Sequence, residues 1–194
     1  MPQFKVHTVD TAPQQSVAFL QGAQQAFGFV PNLIGVLAES PAAVEAYLTL
    51  TKIFDKSSLS PVERQVAILA ISRINECDYC MAAHSVIGSM QNVPADVIQA
   101  IRNDQSIADA KLESLRTFAV TLIEKRGWMS EDDVAAFRAA GYSQAQVLEV
   151  VLAASLKTLS NYTNHLAETP LDDAFAGRAW QPLQARLLPR PTNT

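Results

Sequence analysis

Apolar residues recur three and four apart along almost the whole chain, and only 7 of its 194 residues are glycine. That spacing lines up one face of a helix but scatters across both faces of a strand, so the chain is committed to an all-α fold. The helix starts are written into it as well. Ser60-Pro61-Val62-Glu63 is a capping-box sequence ahead of the apolar run VAILAI, which predicts a helix over 61–74. VAILAI alone would suit a strand; cap and length decide for helix.

The other elements follow by the same signs. A helix over 14–27 is closed by Gly28, Pro31 sits in the first turn of a short helix in PNLIGVLAES, and Ser40-Pro41 starts one over 42–54. After a break at Asn75-Glu76 comes a mostly uncharged helix over 78–90. Pro94 opens a helix to 102, an amphipathic helix over 110–125 ends at Gly127, and Ser130-Glu131-Asp132-Asp133 opens another closed by Gly141. Ser143 caps a last long helix reaching about 168, and the Pro-rich tail LLPRPTNT (187–194) reads as extended. There is no convincing strand pair. We expect one helical domain over 1–194, with N-terminal helices in 1–58, a core in 59–90, and C-terminal helices and tail in 91–194.

Hydrophobic residues make up 48% of the chain and charged residues only 18%, so some apolar surface should be covered by another subunit. A homo-oligomer, a trimer or a dimer-built hexamer, is expected. Tyr47, Phe54, Trp128 and Trp180 read as core or interface. The net charge of -4 and the scattering of the 15 Lys and Arg exclude a nucleic-acid partner. No run is long and apolar enough to span a bilayer, so no membrane partner is expected. The N-terminus MPQFKVHTVDTAPQQ has neither a basic n-region nor an apolar h-region, which predicts a cytoplasmic protein. In that reducing compartment two close cysteines are more often catalytic, redox-active or metal-binding than a structural staple.

The chain's two cysteines lie in Cys77-Asp78-Tyr79-Cys80-Met81-Ala82-Ala83-His84. Residues three apart are neighbours on a helix, so the cysteines share a face and could form a disulfide within one turn. A helix N-terminus favours thiolate over thiol, and on that ground alone Cys77 would be the more exposed, more reactive sulfur. His84 follows Cys80 by one turn, on the same face, and can exchange a proton with it. Glu76 and Asp78 work against a thiolate unless they point to solvent. The plain alternative is a core filled by two cysteines and a histidine. Haem attachment needs His directly after the second cysteine, where Met81 stands, and zinc lacks a second CxxC, with only His165 or a carboxylate to complete it. No cofactor or metal is expected.

LSPVERQVAILAISRINECDYCMAAHS resembles the core of the AhpD-like, carboxymuconolactone decarboxylase superfamily, in its thiol peroxidase-related branch. FGFVPNLIGVLAESP before it and LKTLSNYTNHLAETPLD behind it are similar to that branch too. The resemblance implies an AhpD-like helical bundle, homo-oligomers, and reduction of hydroperoxides through a sulfenic acid and an internal disulfide. It implies Cys80 as the attacking thiol, Cys77 as resolving thiol and proton donor, and a thiol or dithiol protein as reductant. The family's relay includes a glutamate twelve residues before the first cysteine; here that position is Gln65, whose amide cannot take a proton. Glu63 lies two residues away and reads first as the capping-box acid. Tyr79 fits the family's position between the cysteines, or is an ordinary packed aromatic. Asn161 and His165, one turn apart on the last helix, read as hydrogen-bonding residues at helix ends or an interface, or make His165 the base that Gln65 cannot be. The leading function is a thiol-dependent alkyl hydroperoxide reductase. Its competitors are a carboxymuconolactone decarboxylase-type enzyme and a non-catalytic redox-sensing or ligand-binding helical oligomer.

Overall fold

The structure, a computed structural model, describes residues 4–182; the expected extended tail 187–194 lies outside them. Every regular element among these residues is helical. A 3-10 turn, Gln14–Ser16, leads into α1 (Val17–Phe27) and α2 (Asn32–Leu37), followed by α3 (Pro41–Phe54), α4 (Pro61–Ile74) and α5 (Asp78–Met90). Then come α6 (Ala95–Arg102), α7 (Ala110–Glu124), α8 (Glu131–Ala139), α9 (Gln144–Ala167) and a short α10 (Asp173–Ala176). The turn at 14–16 and α10 carry no cap or apolar period that marks them in the sequence.

The starts follow local chemistry. Ser60, Ser130 and Ser143 each close a capping box, and Ser40 Oγ accepts from Ala43 N at the start of α3. Pro31 and Pro94 precede their helices rather than opening them: both hold an extended ψ of 137°, so α2 and α6 begin one residue later than the sequence suggests. Gly28, at φ 80°, ends α1 in the left-handed conformation that glycine adopts without a Cβ clash.

Helix α4 is the hub, packing against α5, α6, α7 and α9. It is apolar nearly all round, and every residue from Gln65 to Ser72 is buried. The larger core gathers around it: Val66, Leu69 and Ile71 pack with Ile101, Leu115, Phe118, Phe137 and Leu156. A second cluster joins α1, α2 and α3 to the start of α5, and contains Cys77, Tyr79 and Cys80. Helix α5 therefore runs between two cores, with Met81 in one and Cys80 in the other. Phe54 and Trp180 are core, and Tyr47 is half-buried against it. Trp128 is not core: its side chain is 87% exposed, in the link between α7 and α8. An N-terminal arm crosses α2, where Gly35 O accepts from His7 N. A Cβ at Gly35 would lie 2.7 Å from His7 O, so only glycine allows this approach.

Candidate functional site

Cys77 is the N-cap of α5 and Cys80 its third residue, so the pair straddles the helix start as the spacing requires. Glu76, at φ 56°, turns the chain into this cap. Glu76 and Asp78 are both exposed, so their carboxylates face solvent rather than the sulfurs. Both cysteines are free thiols and buried. The expectation that Cys77 is the more exposed thiol fails. Cys77 is 0% and Cys80 1% exposed, because the start of α5 is buried in the second cluster and α9 packs on it with Asn164 at both sulfurs, and it is Cys80 that borders a cavity.

That cavity, of about 200 Å³, is walled mainly by apolar side chains, including Leu33, Phe54, Ile68 and Phe175. Its polar edge includes Asp55, Gln65, Cys80, His84, Gln91 and Lys157, with Tyr47 and Tyr79 among the aromatic walls. Three groups from one face of α9 bear on the sulfurs. Asn164 Nδ2 donates to Cys80 Sγ at 3.3 Å and to Cys77 Sγ at 3.6 Å, and Ser160 Oγ lies 3.9 Å from Cys80 Sγ. Lys157 lines the cavity together with Cys80, and its ammonium favours the Cys80 thiolate. Positions 157, 160 and 164 fall on one helical stripe, so α9 presents them together. Burial resists ionising Cys80, but the Cys77 thiol, the Lys157 ammonium and Ser160 together outweigh it and draw Cys80 below the ordinary thiol range. Cys77 moves upward, because it donates to Cys80 and because it is buried. The first proton of the pair therefore leaves Cys80.

His84 lines the same cavity without a hydrogen bond to either sulfur. Its Nδ1 lies 3.1 Å from Gln65 Oε1, and Gln65 Nε2 donates to Gln91 Oε1 at 3.2 Å. With the amide so oriented, Nδ1 carries the hydrogen and Nε2 is left as the base. Burial, and then the charge of Lys157, lower the His84 pKa well below 6.5, so the ring is neutral at pH 7. Gln65 thus stands in the cavity beside His84, where the sequence places the relay position.

The remaining candidates are engaged elsewhere. Glu63 Oε2 accepts from Ser60 N at 2.8 Å, and its Oε1 pairs with Lys111 at 2.9 Å, outside the cavity lining. His165 is exposed beside Tyr162 and does not line the cavity, because position 165 lies on the solvent side of α9. The structure does not bring it to the place that Gln65 leaves without a base. Asn161 accepts from Asn75 at the end of α4, the helix-end role expected of it. Tyr79 is more than packing: its hydroxyl donates to Asp172 at 2.5 Å and accepts from Leu33 N at 3.3 Å, tying the inter-cysteine residue to α2 and to the segment after α9. Sequence reasoning missed Lys157, Ser160, Asn164, Gln91 and Asp172. The first three had a signal, a polar stripe spaced by three and four on an otherwise apolar helix. Gln91 and Asp172 had none. Among the described residues no group of three His, Cys, Asp or Glu could hold a metal ion, and no helix is long and apolar enough to cross a membrane.

Residues 38–121 match the model of the carboxymuconolactone decarboxylase family. The fold is similar to that of a peroxidase-related protein of the alkylhydroperoxidase AhpD core from Ralstonia eutropha JMP134. The TM-score is 0.80 at 20% identity, over 92% of this chain and 97% of that one. The chain has an AhpD-like all-helical fold, and its residues 38–121 are similar to the carboxymuconolactone decarboxylase family. A peroxidase-related protein from Silicibacter sp. TM1040 is similar to this AhpD-like chain at TM-score 0.78 and 18% identity, covering 91% of it and 95% of the neighbour. The debrominase Bmp8, solved with 2,3,4-tribromopyrrole, is similar at TM-score 0.70 and 18% identity, covering 85% and 89%. No curated protein is close enough in sequence to count as a relative. At these identities the neighbours share the AhpD-like fold, and one fold carries more than one chemistry.

Proposed function

We propose that this AhpD-like chain reduces hydroperoxides through a Cys77–Cys80 dithiol–disulfide cycle, with Cys80 as the attacking sulfur. One observation carries the reading: Cys80, and not Cys77, borders the cavity, and it is the sulfur whose surroundings favour a thiolate. Cys80 Sγ attacks the outer peroxide oxygen and the O–O bond breaks. The leaving alkoxide takes a proton that enters from solvent and is handed across the cavity through His84 Nε2, since Cys80 has already lost its own. Cys80 becomes a sulfenic acid. Cys77 Sγ then attacks the Cys80 sulfur, its proton joins the departing hydroxide as water, and the disulfide forms. A thiol or dithiol protein returns two electrons and two protons. His84 moves protons, Gln65 fixes its tautomer, and Tyr79 holds the turn between the cysteines through Asp172. Peroxide chemistry of this kind requires nucleophile, proton carrier and resolving thiol in one place, and the local sequence 77–84 supplies all three.

The reading includes a homo-oligomer, a trimer or a dimer-built hexamer. Its support is the row of exposed Leu148, Val151, Tyr162 and Leu166 along one side of α9. It also places the protein in the cytoplasm, where a thiol reductant is present. Mass spectrometry after mild treatment with an alkyl hydroperoxide tests the chemistry. The expected result is a loss of two hydrogens that dithiothreitol restores; two independently alkylatable thiols after that treatment would refute it.

A further inference from the structure

Lys157 is 1% exposed, in the middle of α9. Lysine is almost never fully buried unless its charge is matched. Among the described residues no carboxylate forms an ion pair with it. Buried or cavity-lining carboxylates have other partners: Glu63 pairs with Lys111, Asp172 with Tyr79 and Asn32 N, and Asp55, on the cavity wall, with Arg64 at 3.8 Å. Lys157 and Cys80 line the same cavity, and the ammonium charge acts on the Cys80 thiol there. Asn164 Nδ2 and Ser160 Oγ converge on the same sulfur from the same helix face. A buried ammonium in the same cavity and an amide N–H donating to one buried sulfur make an arrangement for an anion. A neutral thiol would leave the ammonium without a counter-charge.

We propose that Lys157 is the counter-ion of the Cys80 thiolate, and that it makes the Cys77–Cys80 couple an oxidising one by favouring the reduced form. This rests on the redox reading of the pair given above. When the disulfide forms, the thiolate disappears while the ammonium stays in the same buried surroundings. An uncompensated buried charge is costly, so the oxidised state is destabilised relative to the reduced one. Reduction by glutathione balances accordingly. The disulfide and two glutathione thiols give the Cys77 thiol, the Cys80 thiolate paired with Lys157, glutathione disulfide and one proton released to solvent. Among the described residues, the one carboxylate lining the cavity with Cys80, Asp55, is paired with Arg64, and, Lys157 aside, the titratable groups around the sulfur are neutral. Cys77 keeps its proton, His84 is neutral, and Tyr47 is held protonated by burial and by the two sulfurs. The proposal assigns Lys157 a positioning role: it sets the charge state and potential of Cys80. Its partner class is a moderate thiol reductant, since a disulfide so destabilised is reduced downhill by ordinary cellular dithiols.

The test equilibrates the full chain with glutathione redox buffers and reads the disulfide fraction by differential alkylation, for wild type, Lys157→Met and Lys157→Arg. Methionine matches the length of the lysine stem without the charge, and replacing a buried charge by an apolar group is commonly neutral or stabilising. Loss of the counter-ion in Lys157→Met should shift the equilibrium toward disulfide on the order of tenfold or more. Lys157→Arg, which keeps the charge, should stay nearer wild type. A second reading needs no Lys157 variant: thiolate absorbance near 240 nm at pH 7, present in wild type and absent in Cys80→Ser. An unchanged equilibrium in Lys157→Met, or no thiolate at pH 7 in wild type, overturns the proposal and leaves the cysteine cycle standing. No disulfide in any buffer overturns the cycle and the proposal together.

Discussion

In the proposed cycle, Gln65 and His84 govern how protons move in the cavity. Gln65 accepts from Nδ1–H and, being neutral, does nothing to stabilise an imidazolium. A carboxylate in its place would. Gln65→Glu should therefore raise the His84 pKa and move the acid limb of the peroxide-turnover profile to higher pH; steady-state rates from about pH 5 to 9 check it, across the range in which histidine titrates. An unchanged profile would separate position 65 from the chemistry. Removing a positioned acid–base group costs about 10²–10⁴-fold, and His84→Ala should lose turnover on that scale. The same ring bears on stability. Its folded pKa lies below the unfolded 6.5, so the unfolded chain binds the extra proton at mildly acid pH. The stability owed to the neutral ring is whole above that value and is lost as pH falls below it. The low pKa of Cys80 acts in the same direction between about pH 5 and 9, so the two are separated by variant. Thermal melts from pH 5 to 8 should fall less steeply toward acid for His84→Asn than for wild type.

Helix α4 owes its start to one serine and one glutamate. Ser60 Oγ accepts from Glu63 N, and the Glu63 carboxylate accepts from Ser60 N. Ser60→Ala should cost about 1 kcal/mol in urea unfolding, a typical value for a lost N-cap. Gly35→Ala should destabilise as well, since the new Cβ would meet His7 O at 2.7 Å and Val6 Cγ1 at 2.8 Å and the arm would have to move. These caps explain why the elements were legible in the sequence. The expected bounds 61–74 and 78–90 are those of α4 and α5 themselves. Where no cap or apolar period exists, as in α10, nothing in the sequence marked the element. The site divides in the same way. Cys77, Cys80 and His84 are neighbours in sequence, so spacing alone placed them, and Gln65 was found through a family pattern. Lys157, Ser160 and Asn164 form a visible stripe, yet sequence does not say which neighbour a helix face meets. Cys77 departs from the expected exposure because a helix terminus is exposed only if nothing packs over it, and here α9 does.

On the scale of the whole molecule, the mixture of a nearly charge-free long helix and a buried active face leaves Leu148, Val151, Tyr162 and Leu166 in solvent on the outer side of α9. Light scattering at micromolar concentration should return a multiple of the single-chain mass, and Leu166→Glu should lower it; a single-chain mass for wild type contradicts the expected assembly. The two cores meet at α5, so the sulfur pair sits where the small N-terminal cluster joins the larger one, and the proposed reaction depends on Cys80, rather than Cys77, lining the cavity. The most direct test of that assignment is to trap the sulfenic acid with dimedone after adding an alkyl hydroperoxide, in Cys77→Ser and in Cys80→Ser, and to locate the adduct by mass spectrometry. The expected result is an adduct on Cys80 in Cys77→Ser and none on Cys77 in Cys80→Ser. An adduct forming on Cys77 as fast as on Cys80, or on neither, contradicts Cys80 as the peroxide-attacking sulfur.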